Sequence, residues 1–464
     1  MKRRVHFVGI GGSGISAIAR VMLERGDSVR GSDRAESEYT AGLEAAGVEI
    51  MIGHRAENLM NPDLVIASSA IPEDNPELVA AREAGIRVFW RPEFLKQLTA
   101  GSQTVAVAGT HGKSTTTGLI AWLLESAGIR PSFIVGAVLV DMGTNARAGG
   151  GPHFVIEADE YKQTFLGLDP SVAVITNVEH DHPDCFPKPE DSRRAFSAFT
   201  KLVRDLLVVC ADDPGSSALT KPGLERWTYG LSSGAKWRAE ALTINEAGGM
   251  DFRVLCEGKT VGKAHNLLPG EDNIRNCLAA LAVSDYLGVP LPTALEAMAG
   301  YHGVQRRFQV LGREQDVIVI DDYAHHPTEI ASTLAAARMH YPDFEIWAVF
   351  QPHTYSRTKT LLNDLVGAFI DADHVIVLDI FAAREERDAE ISGAILAERI
   401  QHSDARFLSN FPEATQYLLE HVRPQSLVLS LSAGNGNQVV IHLLQALKLR
   451  GREDRDGGQS ETPV

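Results

Sequence analysis

The chain has 464 residues, of which 60 are acidic and 44 are basic, and its formal net charge is −16. With 44% hydrophobic and 22% charged residues, it has enough apolar material for buried cores and is not a disordered chain. Its length predicts about three domains, and its acidic balance opposes non-specific attraction to nucleic acid or to an anionic membrane surface.

The number and spacing of the cysteines bear on the cellular compartment in which the protein works. The four of them are widely spaced and include no C-x-x-C pair, which argues against a disulfide framework and against a thiolate zinc site. The amino-terminal apolar run is interrupted by glycines and charged residues, and no other stretch approaches the length that spans a bilayer. We therefore expect a cytoplasmic protein that has neither a membrane nor a nucleic acid as partner.

Short β-branched runs alternate with helical patterns along most of the chain, which predicts βαβ units around parallel sheets. The first block has strands near residues 5–8, 63–67 and 87–90 and ends at a small, polar connector near residue 100. We predict that residues 1–100 form a Rossmann-like domain.

A glycine-rich loop follows the first predicted strand. Residues 9–14 fit G-x-G-x-x-G, precede an apolar-periodic helix and are followed about 20 residues later by an aspartate. Such glycines let backbone N–H groups approach a diphosphate at a helix N-terminus, where the helix dipole also favours an anion. A nicotinamide dinucleotide, a UDP-like diphosphate and a tight turn without a ligand remain open at this point. The candidate diphosphate-binding residues are Gly11, Gly12, Ser13, Gly14 and Asp33.

The second block, residues 101–309, contains a P-loop-like segment between a strand and a helix. Residues 109–115 depart from G-x-x-x-x-G-K-[ST] because Val107 occupies the first glycine position. The remaining chemistry is complete: loop amides can bind phosphate, Lys113 can neutralise it, and the Ser114 hydroxyl can reach Mg²⁺. A glycine-rich turn with an incidental lysine is the alternative.

Polar residues also follow two later strands of this block. Residues 157–160 begin where the strand at 154–156 ends, and residues 176–182 follow the strand at 172–175. Open α/β sheets bind ligands at such strand ends, and Mg²⁺ prefers oxygen donors. We favour magnesium linked to ATP over a solvated loop or a zinc site made of His180, His182, Asp184 and Cys185. A glycine-rich stretch further on predicts a small antiparallel subsheet.

The third block, residues 310–449, again alternates, with strands near residues 317–320, 346–350, 375–378 and 427–430 and helices at 327–339 and 357–370. Residues 450–464, rich in Gly, Asp, Arg and Pro, predict a disordered tail. The expected fold is therefore α/β in three domains: a Rossmann-like domain, a P-loop domain with a parallel sheet and a small antiparallel subsheet, and a second Rossmann-like domain.

Together and in this order, the motifs resemble those of the Mur ligase family. The resemblance is carried by the two glycine loops, residues 157–160, residues 176–177 with His182, and residues 321–327, and it extends over nearly the whole chain. It is greatest for the branch that joins L-alanine to UDP-N-acetylmuramate. It implies a first domain for the UDP-sugar, a central ATPase, and a third domain that closes over the amino acid and the nucleotide.

Site residues follow from the resemblance residue by residue. It implies that Lys113, Glu157, His182 and His325 are catalytic, with His325 as the candidate base for the amine. Mg²⁺ would be held by Ser114, Glu157 and His182. The UDP-sugar would meet the first glycine loop and His353. ATP would contact Gly109, Thr110, His111, Gly112, Lys113, Ser114, Thr115, Asn273, Arg306 and Asp322.

The implied reaction has two steps. The lactyl carboxylate of the sugar attacks the γ-phosphate of ATP to give an acyl phosphate and ADP, and the alanine amine then displaces phosphate. Three positions depart from the family pattern: Thr354 replaces an arginine, Asp272 replaces a histidine, and Asn435 lies where the family has Gly-Ala-Gly-Asp. These departures concern the acceptor pocket and the sugar site rather than the ATPase centre.

Other functions are weighed against this one. A recycling ligase that attaches a preformed tripeptide to the same sugar has a different first glycine loop. A nicotinamide-dependent dehydrogenase leaves the second loop unexplained, and a non-catalytic nucleotide binder is a third alternative. The expected partners are UDP-N-acetylmuramate and L-alanine, and we expect a monomer or a weak homodimer.

Overall fold

Three separate β-sheets organise the chain, one in each predicted block. The computed structural model describes residues 2–457. We refer to each sheet with its helices as the first, central and third domain. The central strands are apolar and fully buried, as in β-sheets that are covered on both faces.

The first domain has a five-stranded parallel sheet in the order β3-β2-β1-β4-β5. The order reverses between β1 and β4, which places a crevice at the carboxyl ends of these strands. The Rossmann-like prediction is confirmed. Its elements are β1 Arg4–Val8, α1 Ser13–Glu24, β2 Ser28–Asp33, α2 Glu38–Glu44, β3 Glu49–Ile52, a 3₁₀ helix Ala56–Leu59, β4 Leu64–Ala67, α3 Pro76–Glu83, β5 Arg87–Trp90 and α4 Arg91–Leu98.

The central domain has a ten-stranded sheet in the order β15-β14-β13-β12-β11-β10-β6-β9-β7-β8. The antiparallel strands β13 to β15 extend the parallel sheet through β12 instead of standing apart from it. Its elements are β6 Gln103–Ala108, α5 Lys113–Ser126, β7 Ser132–Leu139, β8 Thr144–Arg147, β9 His153–Glu157, a 3₁₀ segment Tyr161–Gly167, β10 Val172–Ile175, α6 Pro189–Leu202, β11 Leu206–Cys210, α7 Pro214–Ser217, β12 Glu225–Gly230, β13 Trp237–Ile244, β14 Met250–Cys256, β15 Lys259–Asn266, α8 Glu271–Tyr286 and α9 Leu291–Met298.

The third domain has a six-stranded sheet in the order β16-β17-β21-β18-β19-β20, parallel except for the edge strand β16. The sheet begins at Gln309, so the predicted boundary between residues 309 and 310 falls inside its first strand. Its elements are β16 Gln309–Glu314, β17 Val317–Asp322, α10 Pro327–His340, β18 Glu345–Gln351, α11 Tyr355–Thr360, α12 Leu362–Leu365, β19 His374–Val377, α13 Gly393–Arg399, β20 Ala405–Phe407, α14 Phe411–His421, β21 Ser426–Ser432 and α15 Gln438–Gly457.

Two predictions for the third domain differ from the structure. The single helix expected at residues 357–370 is two short helices, which meet at the buried Leu361. Helix α15 continues through residues 450–457, where disorder was predicted, because its preceding turns pack Leu443, Leu444 and Leu447 into the core. The rest of the predicted tail, residues 458–464, lies outside the described residues.

All four cysteines are free, as expected from their spacing. Within residues 2–457, no helix is both long and apolar enough to cross a membrane.

Candidate functional site

The second glycine loop turns the chain from β6 into α5. Gly109 has φ +140°, and a Cβ atom there would lie 1.8 Å from the Thr176 hydroxyl oxygen. Gly112 has φ +77° and is the N-cap of α5, without a side-chain hydrogen bond at the cap. The first amides of a helix lack intrahelical acceptors, and the helix dipole favours an anion there. The start of α5 therefore fits a phosphate group.

The same loop is anchored to the end of β10. The amides of Thr110 and His111 donate to the backbone oxygen and the side-chain oxygen of Asn177, at 3.1 and 2.8 Å. These two donors are occupied, which leaves the amides at the start of α5 as the anion-binding donors of the loop.

Lys113 is held by its own loop. Its Nζ donates to the carbonyls of Gly109 and Thr110, at 2.6 and 3.0 Å, and to the carboxylate of Glu160 at 3.0 Å. Burial opposes the charge of Lys113, but Glu160 and its acidic neighbours raise the pKa of the lysine above its ordinary value. Lys113 is therefore a buried cation at the start of α5. Glu160 belongs to the acidic run found in the sequence, but sequence reasoning singled out Glu157 instead.

Ser114 and Glu157 suit a magnesium ion. Both line the same cavity, and Glu157 accepts a hydrogen bond from the Gly136 amide at 2.6 Å. A hydroxyl and a carboxylate are the oxygen donors that Mg²⁺ prefers. His182 lines this cavity too, but its Nδ1 accepts from the Arg357 guanidinium at 3.1 Å, so that Nε2 carries the proton in the neutral ring. His182 must exchange this contact or its tautomer before Nε2 can bind a metal.

A cavity of about 480 Å³ is lined by residues from all three domains. The first domain supplies the start of α1 and Arg91. The central domain supplies Lys113 and the candidate magnesium ligands, and the third domain supplies two histidines and several arginines. The predicted site residues along it are Ser13, Gly14, Thr110, Lys113, Ser114, Glu157, His182, Arg306, His325 and His353. The structure thus brings most of the predicted reaction centre together.

Arg91 is a cation at the first glycine loop that sequence reasoning missed. A Cβ atom on Gly14 would lie 2.5 Å from the Arg91 Cζ atom, so the guanidinium covers the start of α1. No motif marks Arg91, which is the first residue of α4. Asp33 faces the loop itself, because its Oδ2 accepts from the Gly11 amide at 2.7 Å. Gly11, Gly12 and Asp33 are not among the residues that line the cavity.

A second cavity, of about 300 Å³, lies between the central and third domains. The predicted nucleotide residues along it are His111, Gly112, Thr115, Asn273 and Asp322. Burial raises the pKa of Asp322 to about 6, although Arg307 and two backbone amides stabilise its charge. Arg307 lines both cavities, whereas Arg306 lines only the larger one. The Arg306 guanidinium binds Asp321 at 3.2 Å and the Ser432 carbonyl at 2.6 Å.

Two neutral histidines of the third domain face the larger cavity. Burial and the neighbouring Arg357 hold the pKa of His325 well below its ordinary value and lower that of His353 to about 4. Nδ1 of His325 donates to the Tyr323 carbonyl at 2.9 Å. Its Nε2 therefore carries the lone pair and can accept a proton. This arrangement fits a general base.

Arg357 also binds the loop after β10. Its Nε donates to the Asp181 carboxylate at 2.7 Å, and both side chains are at least nine-tenths buried. His326 of the third domain contacts the His180 carbonyl at 3.3 Å beside this pair. Neither Arg357 nor Asp181 was predicted as a site residue, although each lies close in sequence to a predicted histidine. They hold the third domain against the central domain.

The three residues that depart from the family pattern all form hydrogen bonds with nearby side chains or backbone groups. Thr354 has φ +64° and caps α11, where its hydroxyl accepts from the Arg357 amide at 3.4 Å. Asp272 binds Arg275 and the Ser332 hydroxyl, and Asn435 accepts from the Gln351 amide at 3.0 Å. Thr354 thus supports the helix that carries Arg357.

The zinc alternative is not supported by the geometry. Within residues 2–457, one set of three possible metal ligands has its ligand atoms within 4.8 Å of one another, namely His111, Glu179 and His326. None of these residues belongs to the zinc set considered from the sequence. In the alternative set, His180 bonds instead to the Phe186 carbonyl at 2.7 Å.

Comparison with known families matches each domain. Residues 4–103 match the Mur ligase family catalytic domain, residues 107–284 match the Mur ligase middle domain, and residues 306–434 match the Mur ligase glutamate ligase domain.

Similar proteins cover more than nine-tenths of the chain. The UDP-N-acetylmuramate–L-alanine ligase of Frankia casuarinae is 42% identical, over 96% of this chain and 98% of the relative. The enzyme of the same name from Alkaliphilus metalliredigens is 40% identical, over 93% and 95%.

Among solved structures, the UDP-N-acetylmuramate–alanine ligase of Thermotoga maritima superposes with a TM-score of 0.83 at 29% identity, covering 97% of this chain and 100% of that one. A murein peptide ligase from Psychrobacter arcticus gives a TM-score of 0.69 at 25% identity, with 96% and 98% covered. By its matching domains, its relatives and its fold, this chain belongs to the Mur ligase family.

Proposed function

We propose that this chain is an ATP-dependent ligase that joins L-alanine to the lactyl carboxylate of UDP-N-acetylmuramate, releasing ADP and phosphate, in the synthesis of peptidoglycan precursors. Relatives named UDP-N-acetylmuramate–L-alanine ligase, which are about 40% identical to this chain, support the choice of substrates. The structural observation that carries the proposal is the larger cavity, because it gathers a diphosphate-type loop, a P-loop lysine and a neutral histidine from three different domains.

The two cavities suggest where each substrate binds. ATP would occupy the smaller cavity, with its phosphates at the start of α5 and its base near Asn273. The UDP-sugar would enter the larger cavity from the first glycine loop, where Arg91 and the α1 amides offer positive potential to its diphosphate. Lys113 of the second glycine loop lines the larger cavity together with Ser13 and Gly14 of the first loop, where a phosphoryl group would pass from one substrate to the other.

The residues then have separate roles. Lys113 would stabilise the charge that develops on the transferring phosphoryl group. His325 would accept the proton that the amine loses when it attacks the acyl phosphate. Arg357 and Asp181 would hold the third domain in place and keep out water, which would hydrolyse the acyl phosphate.

Ser114 and Glu157 would hold Mg²⁺, and His182 would join them once it is released from Arg357. A bound magnesium ion supplies positive charge to phosphate oxygens. We further propose a cytoplasmic location, since four free cysteines are typical of a reducing compartment and ATP is the proposed substrate. The prediction of a monomer or weak homodimer stays a prediction.

Product mass tests the proposal. The protein is incubated with ATP, Mg²⁺ and UDP-N-acetylmuramate plus L-alanine, glycine, L-serine or a preformed tripeptide, singly and in competition. We expect the L-alanyl product, and ADP release that needs both the sugar and the amino acid. Preferential use of the tripeptide would assign the recycling activity instead. ADP release at the same rate without sugar or amino acid would contradict the ligase assignment.

A further inference from the structure

Glu329 lies where the two cavities meet. It is in the first turn of α10, its side chain is 8% exposed, and it lines both cavities. Nothing in its sequence context marks it beyond the helix start that His326 and Pro327 form. Its position makes it a candidate link between the nucleotide and the amino-acid side of the site.

One carboxylate oxygen of Glu329 faces the nucleotide side. Oε1 lies 3.2 Å from Nδ1 of His111, in the second glycine loop, and accepts from Arg307 at 3.2 Å. Burial opposes the charge of His111, but Glu329 and Glu179 raise the pKa of His111 to about 10. The loop and the third domain are therefore joined by a buried ion pair.

The other oxygen faces the amino-acid side. Oε2 accepts from the His325 amide at 3.2 Å and lies 3.4 Å from Nδ1 of the same residue. With the Tyr323 carbonyl, it gives the Nδ1 proton of His325 two acceptors. Burial would raise the pKa of Glu329, but Arg307, His111 and His325 hold it well below its ordinary value. The side chain is thus an anion that favours the Nδ1–H tautomer of His325.

We propose that Glu329 is a positioning residue that holds His325 in the tautomer and orientation needed to accept the amine proton, and that its separate ion pair with His111 is not required for this role. The inference rests on the proposed function, because it needs His325 as the base. In the step concerned, the amine nitrogen bonds to the carbonyl carbon of the acyl phosphate. The bond from that carbon to the phosphate oxygen breaks, phosphate leaves with the electron pair, and the nitrogen's proton passes to Nε2 of His325.

Charged and titratable groups surround His325 from several elements. Arg357 and His353 face it from the segment that leads into and forms α11, Asp181 faces it from the loop after β10, and Glu329 faces it from α10. Arg357 and Asp181 form their own ion pair. Glu329 is the one of these groups that contacts both His325 and His111.

Trapping with hydroxylamine separates the two reaction steps. Hydroxylamine is largely uncharged at neutral pH and attacks an acyl phosphate without help from a base. The hydroxamate formed without alanine therefore reports acyl phosphate formation, while the alanyl product reports both steps. We measure the ratio of alanyl product to hydroxamate in the wild-type protein, Glu329→Gln, His111→Gln and Glu413→Gln. Glu413 is a matched control, because it occupies the same position in the first turn of α14 but lies on the surface.

We expect Glu329→Gln to lower this ratio at least tenfold. We expect His111→Gln to lower both products together with an unchanged ratio, and Glu413→Gln to change neither. Adding Glu329→Gln to His325→Asn should cause little further loss, since both act on one step. If Glu329→Gln does not fold, Glu329→Asp replaces it, because the shorter side chain keeps the charge but loses reach, and it should lower the ratio too.

The outcomes distinguish the two claims. If the wild-type protein forms neither hydroxamate nor amide, the proposed function fails. If it forms both and the ratio stays at the wild-type value in a folded Glu329 variant, the positioning role fails alone. An equal fall of the ratio in His111→Gln would also overturn the role, because the effect would then come from the ion pair and not from His325.

Discussion

The guanidinium of Arg357 donates to the carboxylate of Asp181 at 2.7 Å, across the boundary between the third and central domains. The same guanidinium bonds to Nδ1 of His353 at 2.8 Å and to Nδ1 of His182 at 3.1 Å. One arginine thus contacts two predicted site histidines and the loop that carries one of them.

Replacing Arg357 by methionine should open the site. Removal of one partner from a buried ion pair costs about 3–5 kcal/mol, because the other charge stays buried without compensation. Since this pair lies between domains, we expect most of the loss as domain opening rather than unfolding. Small-angle scattering should show a larger radius of gyration, and turnover should fall at least tenfold. The exposed Arg313, changed in the same way, should alter neither value. An unchanged radius with full activity would contradict the prediction.

Lys113→Ala should separate an enzyme from a nucleotide binder. Loss of the cation that stabilises transferring charge typically lowers turnover by about 10²–10³-fold. It also leaves Glu160 buried without its ammonium partner, so the melting temperature should fall. Turnover and ADP affinity are measured together, with the exposed Lys201→Ala as control. If nucleotide affinity fell and turnover of the remaining complex did not, Lys113 would act in binding only.

Gly14→Ala should weaken binding of the UDP-sugar. The new Cβ would lie 2.5 Å from the Arg91 Cζ atom, so the guanidinium must move away from the start of α1. Loss of one hydrogen bond to a charged group costs about 1.5–3 kcal/mol, which corresponds to roughly a 10- to 150-fold rise in KM for the sugar. KM for ATP should stay the same. Gly42→Ala is the control, because its nearest neighbour, Arg20, would be at an ordinary 3.5 Å.

His111 should make stability depend on pH. Its pKa is about 10 in the folded protein, against an ordinary value of 6.5. Below pH 6.5 both states bind the proton and the stabilisation is complete. Between pH 6.5 and 10 only the folded state keeps it, so stability falls as pH rises. The wild-type melting temperature should therefore fall more from pH 7 to 10 than that of His111→Gln. His302→Gln, at an exposed site, should follow the wild type. Equal slopes for His111→Gln and the wild type would contradict the ion pair.

The second glycine loop could be predicted from the sequence because its features depend on neighbouring residues. Gly109 and Gly112 adopt positive φ at a strand–helix junction, and Lys113 follows them directly, so pattern and geometry coincide. The alternation of strands and helices likewise predicted three sheets, because parallel strands need long crossovers. These features depend on neighbours a few residues apart.

The residues that were missed act over long sequence distances. Arg91 contacts Gly14 across the first domain, whereas Glu329 contacts His111 and Arg357 contacts Asp181 across the boundary between the third and central domains. A single sequence contains no short-range signal for such pairs, since an arginine or glutamate near a helix start is ordinary surface composition. Glu160 was missed for another reason, because an acidic run does not reveal which carboxylate turns toward the lysine.

If the nucleotide binds at Lys113 as proposed, its phosphate meets a lysine that Glu160 already neutralises. The carbonyls of Gly109 and Thr110 and the Glu160 carboxylate already fix Lys113, so the loop is ordered before any phosphate arrives and little conformational entropy remains to be lost on binding. A phosphate that binds Lys113 would have to displace the Glu160 carboxylate, so that one anion replaces another. Because the charge of Lys113 is already neutralised before binding, its contribution to nucleotide affinity should depend only weakly on salt concentration. A solvent-exposed lysine would instead contribute an affinity that falls as salt is added.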